Sequence, residues 1–197
     1  MGRIIAVANQ KGGVGKSTTA INLAACLAEA GQKILIIDID PQGNTTSGLG
    51  VDKNSVENTL YELLLGEAET KDTIVKDVVE NLDLIPSNIN LSGAEIELVG
   101  IDDKEFILKG ITDKLRRKYD YIILDCPPSL NMLTINALTA ATSVLVPIQC
   151  EYYALEGLSQ LIHTIDLVKE RLNKRLKMEG VRSEEHTSEL QSRLHVM

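Results

Sequence analysis

Residues 4–18 read Ile-Ile-Ala-Val-Ala-Asn-Gln-Lys-Gly-Gly-Val-Gly-Lys-Ser-Thr. An apolar run, a glycine-rich turn and the start of an alanine- and leucine-rich stretch follow one another without a break. That is the order strand, phosphate-binding loop, helix. Gly12, Gly13 and Gly15 let backbone N–H groups turn inward, where a larger side chain would hold a phosphate off. The helix start adds N–H groups without helical partners and a positive dipole end. Lys16 brings a full positive charge to the outer phosphates, and the Ser17 hydroxyl is placed to ligate Mg2+. Lys11, Gly12, Gly13, Val14, Gly15, Lys16, Ser17 and Thr18 are read together as the set that holds a nucleoside triphosphate. The loop departs from the common G-x-x-x-x-G-K-[ST] form. Gln10 stands at the first glycine position, and an additional lysine, Lys11, follows it.

Working outward, strands and helices alternate. The patterning predicts strands over 3–8, 33–38, 82–86, 121–125 and 144–148, and helices over 17–30, 59–65, 91–99, 105–118, 133–141 and 155–176. Residues 41–50 read as a loop. Lys33–Asp38 and Tyr121–Asp125 are almost continuously apolar, the mark of strands covered on both faces. The expected fold is α/β and P-loop NTPase-like: a mostly parallel, twisted sheet with helices on both faces. Ligands in such sheets bind beyond the carboxyl ends of the strands.

At 197 residues the chain is one domain of ordinary size. No run reaches the ~18 apolar residues of a membrane span, and the N-terminus lacks a signal-peptide layout. The three cysteines, Cys26, Cys126 and Cys150, are odd in number and far apart. This argues against a disulfide framework, fits a reducing cytoplasm, and reads as small buried hydrophobes. The net charge of −8 gives no global electrostatic case for a nucleic-acid partner. The basic groups Lys169, Arg171, Lys174, Arg175 and Lys177, and Arg116 to Lys118, read as solvated faces complementing helix ends. Residues 173–181 look like the approach to another buried strand, but 182–197 turn polar. The expected organisation is a domain over 1–181, incomplete at its C-terminus, and a tail over 182–197 that is foreign or disordered.

Two carboxylates complete the site. Asp125 ends a strand, where it can hold Mg2+ across the crevice from Ser17. Asp38 and Asp40 lie in Asp-Ile-Asp-Pro-Gln-Gly-Asn. They would share one side if the strand persisted through both. Asp40 is read as the group that orients, or takes a proton from, the attacking water. Asp38 is read equally as a structural partner of the loop. Residues 43–46 form a flexible segment able to sense the γ-phosphate.

Residues 9–18, 38–44, 125–129 (Asp-Cys-Pro-Pro-Ser) and 147–158 (Pro-Ile-Gln-Cys-Glu-Tyr-Tyr-Ala-Leu-Glu-Gly-Leu) together resemble the ParA/Soj partition ATPases, whose loop is a deviant Walker A. The resemblance covers residues 1 to about 181. It implies ATP and Mg2+ as ligands, with Lys16, Ser17, Asp40 and Asp125 in the roles given above. It further implies an ATP-dependent homodimer in which Lys11 reaches the partner's phosphates, much as an arginine finger does. Such dimers bind DNA without sequence preference, meet a ParB-type partner that stimulates slow hydrolysis, and associate with the nucleoid. They segregate chromosomes or plasmids, and no membrane is expected. The family's C-terminal part, with basic DNA-contacting residues, has no counterpart here. The competing reading is a MinD-like, membrane-associated ATPase that positions the division site. It would need a C-terminal amphipathic helix, and none is legible. A cluster-carrying relative of the nitrogenase iron protein would need cysteines at ligating positions, and neither Cys126 nor Cys150 has that spacing.

Overall fold

The computed structural model describes residues 1–149 and 154–184. In chain order the elements are β1 (Arg3–Val7), α1 (Lys16–Glu29), β2 (Ile34–Asp38), α2 (Asn44–Gly48), α3 (Leu60–Leu65), α4 (Thr70–Thr73), β3 (Val75–Val79) and β4 (Leu82–Ile85). They continue with α5 (Leu91–Glu97), α6 (Ile107–Leu115), β5 (Tyr121–Asp125), α7 (Met132–Ala140), β6 (Ser143–Gln149), α8 (Ala154–Arg171) and β7 (Lys177–Glu184). Short 3-10 turns flank α5 and α6.

These seven strands form one sheet in the order β3-β4-β2-β5-β1-β6-β7. Every neighbouring pair is parallel except β3–β4. The strands are apolar on both faces because both are covered. Ile34 and Ile36 meet Ala20, Ala24 and Ala28 of α1, whose small side chains let the helix lie close to the sheet. Leu35 and Ile37 belong to the opposite layer with Leu91 of α5, Leu133 and Ala137 of α7, and Leu161 and Ile165 of α8. The expected fold class holds.

The register does the work for the site. Val7 of β1 and Asp38 of β2 both pair with Asp125 of β5. Three strands thus end in one row, and the segments that follow them leave the sheet side by side.

Several boundaries differ from expectation. Residues 41–50 are not all loop, because α2 forms within them. The helix expected over 155–176 stops at Arg171, so the basic residues 174–177 belong to a turn and to β7. The segment 70–79, to which the patterning assigns no element, holds α4 and the antiparallel β3. Its Val-Lys-Asp-Val-Val is half exposed at the sheet edge and lacks a continuous apolar pattern. Asn173 leads into β7 as anticipated, and that strand pairs with β6 from Lys177 to Glu184, across the expected domain end at 181. Cys150 and most of the tail lie outside the described residues.

Candidate functional site

The loop between β1 and α1 closes on Gly15, the N-cap of α1, at φ 78°, a left-handed conformation that a side chain would disfavour. Its position carries no side-chain cap. The first helical hydrogen bond runs from the Thr19 amide to the Gly15 carbonyl at 2.8 Å. The amides of Lys16, Ser17 and Thr18 therefore precede the helical ladder. These residues, with Gly12, Gly13 and Gly15, line a cleft of about 380 Å3. Asp40, Gln42, Asn44 and Pro128 complete its wall.

Lys16 is buried, and its Nζ donates to the Lys11 carbonyl at 3.0 Å. Burial lowers its pKa, against the pull of Asp125 and then Asp40. A lysine held this way is a cation short of counter-charge, which suits an incoming phosphate.

Asp125 is fully buried. Its Oδ2 accepts the Thr45 hydroxyl at 2.7 Å. Burial pushes its pKa up to about 6, and the Thr45 and Ser17 hydroxyls pull the other way. Although Ser17 lies close enough for that effect, Asp125 Oδ1 accepts no hydrogen bond of ordinary geometry. A buried carboxylate oxygen without a donor is costly. A cation there would repay the cost, and Ser17 on the facing helix start offers a second oxygen. The residues present fit Mg2+.

Asp38 and Asp40 part company. β2 ends at Asp38, so the strand does not carry through to Asp40. Asp38 is fully buried and accepts the Thr46 hydroxyl at 2.7 Å and the Thr46 amide at 2.8 Å. Burial, then the neighbouring Asp125, raise its pKa to about 7. Of its two readings, the structural one describes these contacts. Asp40 turns to the cleft, and its Oδ1 accepts the Gln42 amide at 2.9 Å. Thr45 and Thr46, expected in a flexible sensor, are instead buried within α2 and bonded to the two strand-end aspartates.

Two members of the expected nucleotide set stand elsewhere. Val14 is buried, and with Lys11 it lines a neighbouring hollow of about 540 Å3 shared with Asn9, Gln10, Ser129 and Gln160. Pro128 borders both spaces. Sequence reasoning missed Gln149, whose Nε2 donates to the Gly13 carbonyl at 2.9 Å and steadies the loop from β6. It also missed Ser87 beyond β4. Gln149 falls in the 147–158 stretch but was given no role there, Ser87 falls in none of the quoted stretches, and only the strand order brings them near. Cys126 follows Asp125 but is fully buried, and burial drives its thiol pKa well up. That is the behaviour of an inert core thiol.

Residues 2–178 match the model of an AAA domain family. The chain is 59% identical over 181 residues to the sporulation initiation inhibitor protein Soj of Bacillus subtilis, covering 92% of this chain and 72% of that one. It is 56% identical to the chromosome partitioning protein ParA of Myxococcus xanthus, covering 92% of this chain and 64% of that protein's length. Its fold matches cobyrinic acid a,c-diamide synthase from Mycobacterium smegmatis, solved with an ATP analogue and magnesium. The TM-score is 0.89 at 43% identity, over 93% of this chain and 75% of the other. The motif-bearing row of strand ends and the length of these matches lead to one statement: the chain belongs to the ParA/Soj family of chromosome-partitioning ATPases.

Proposed function

We propose that this chain binds ATP with Mg2+ in the 380 Å3 cleft and hydrolyses it as the engine of DNA partition. The observation that carries the reading is the convergence of buried Lys16 with an unpartnered oxygen of buried Asp125 at one helix start. The amides of 12–18 and the Lys16 ammonium hold the phosphates. Ser17 and Asp125 would hold Mg2+, which would supply positive charge to offset that of the phosphates. Asp40, on the cleft wall, orients the attacking water or takes its proton. Lys11, at the adjoining hollow, serves the nucleotide of a second copy, so that ATP closes a homodimer. The dimer binds DNA without sequence preference and meets a ParB-type partner, in the cytoplasm and at the nucleoid. The names of the relatives and this chain's identity to them support this part.

Among the described residues no helix is long and apolar enough to cross a membrane. No observation favours the MinD-like alternative. The test is phosphate release with ATP and Mg2+, with and without duplex DNA, beside co-sedimentation with DNA and with anionic liposomes. Slow, Mg2+-dependent release and ATP-dependent pelleting with DNA are expected. Release that persists in Lys16→Ala, or pelleting with liposomes alone, overturns the reading.

A further inference from the structure

The cleft aspartate is held by a closed circuit of buried hydrogen bonds. The Asp40 amide donates to Asp38 Oδ1 at 3.2 Å. Asp38 Oδ2 accepts the Thr46 amide and hydroxyl. The Thr46 oxygen in turn accepts the Ser87 amide at 2.9 Å. The Ser87 hydroxyl then donates back to the Asp40 carbonyl at 2.8 Å. Asp38, Thr46 and Ser87 are fully buried. Both backbone polar groups of Asp40 are therefore tied, one to its own strand end and one to the end of β4.

The circuit leaves no slack. Gly43, inside the enclosed segment, sits at φ 63°, and a Cβ there would meet the Ser87 carbonyl at 2.9 Å. The 40–46 segment is pressed onto residue 87 closely enough that only glycine fits between. A carboxylate that must aim at a water loses most of its value when displaced by about 1 Å. Ser87 belongs to none of the nucleotide-binding motifs, and its hydroxyl makes this one bond.

We propose that Ser87, whose hydroxyl bonds the Asp40 carbonyl directly and whose amide is tied through Thr46 to Asp38, is a positioning residue that fixes the main chain of Asp40 and so aims its carboxylate into the cleft. The proposal rests on the hydrolytic reading of Asp40. It ties turnover to the β4–α5 connection, which lies outside the phosphate loop.

Ser87→Ala removes one bond to the Asp40 carbonyl, which keeps a second from the Gly43 amide at 2.9 Å, so the fold survives. The expected result is a turnover number reduced about three- to tenfold with ATP affinity within twofold. At position 46 two substitutions separate bonding from packing. Thr46→Ser keeps the hydroxyl and should retain turnover near the parent. Thr46→Val keeps the shape and should lose it. Turnover of Ser87→Ala within twofold of the parent, or Thr46→Val outperforming Thr46→Ser, overturns the proposal. A readout independent of hydrolysis is amide hydrogen exchange across 40–46 in the ADP–Mg2+ complex, which should quicken in Ser87→Ala. If the parent shows no turnover, the hydrolytic reading falls by itself. Unchanged exchange in Ser87→Ala then overturns the circuit separately.

Discussion

Buried carboxylates sit at both ends of this sheet, and the two ends treat them in opposite ways. At the amino end, Asp83 of β4 accepts Lys76 Nζ and the Tyr119 hydroxyl, both at 2.5 Å, and the Asp77 amide at 2.9 Å. Burial alone would raise its pKa; the bonds from Lys76, Tyr119 and Asp77 outweigh burial and hold the carboxyl below its ordinary range. At the carboxyl end, Asp38 and Asp125 make bonds only to uncharged groups, and burial lifts them to about 7 and about 6. One Asp125 oxygen accepts no hydrogen bond of ordinary geometry. Asp83 is a finished structural contact. Asp38 is bonded at both oxygens, whereas Asp125 carries an unsatisfied charge that a ligand can complete, the pattern expected of a site held ready at the expense of stability.

The largest effect should separate the two ends in turnover. Asp40→Ala should cut ATP hydrolysis by about 100-fold while leaving ATP–Mg2+ affinity within a few-fold, as read by phosphate release and equilibrium titration. Asp83→Asn should leave turnover per folded molecule within about twofold. Equal losses in the two variants would erase the distinction.

Stability against pH gives the next largest effect, and the two ends have opposite signs. Asp38 and Asp125 have folded pKa values above that of an unfolded aspartate, so between about pH 4 and 7 the folded state binds more protons. Their contribution therefore falls as pH rises through that window. Asp83 is depressed, so its contribution is present above the unfolded value and lost as pH falls through the folded one. Urea midpoints of the nucleotide-free protein should accordingly decline from pH 5 to pH 8. Saturating ADP and Mg2+ should flatten that decline, because a cation at Asp125 favours its charged form. A rising midpoint would put Asp38 and Asp125 in the same class as Asp83.

How much of this could be read from the chain depends on how local each signal is. The glycine-rich loop is contiguous, and the glycines, lysines and hydroxyls on which its reading rests fall within eight positions. The strands under it are continuous apolar runs, so the fold class was legible too. The split between Asp38 and Asp40 was not, because it turns on where β2 stops. The alternating pattern of Asp38, Ile39 and Asp40 is equally good as strand or as turn. α2 was hidden by its Asn-Thr-Thr-Ser-Gly sequence, which favours turns in isolation. It forms because Thr45 and Thr46 find buried carboxylates to bond. β3 was hidden because an edge strand beside solvent needs no apolar run. Ser87 and Gln149 act at a distance set by strand order, and spacing along the chain says nothing about that.

The smallest effect is also the most discriminating, because it asks for opposite signs from the same chemical change. Asp83→Asn exchanges a carboxylate bonded to a cation for a neutral amide. Lys76 is largely solvent-exposed, at 61% for its side chain, so its part of the loss is screened. The expected cost is about 1 kcal/mol. Asp125→Asn is nearly isosteric and keeps an oxygen for the Thr45 hydroxyl. It forfeits the attraction of Lys16, but it removes a buried charge that Asp40 opposes and that raises its neighbour Asp38. Since burial is the leading cause of the Asp125 shift, the balance favours the amide. The nucleotide-free protein should gain about 1 kcal/mol at pH 8. The gain should vanish near pH 5, where the parent carboxyl is already protonated. Stabilisation by added ADP and Mg2+ should shrink in the same variant, since the cation loses a ligand. Paired urea denaturations at the two pH values measure all three. If Asp125→Asn destabilises at pH 8 as Asp83→Asn does, the carboxylate at the end of β5 is an ordinary structural contact, and its unpartnered oxygen has no bearing on a cation.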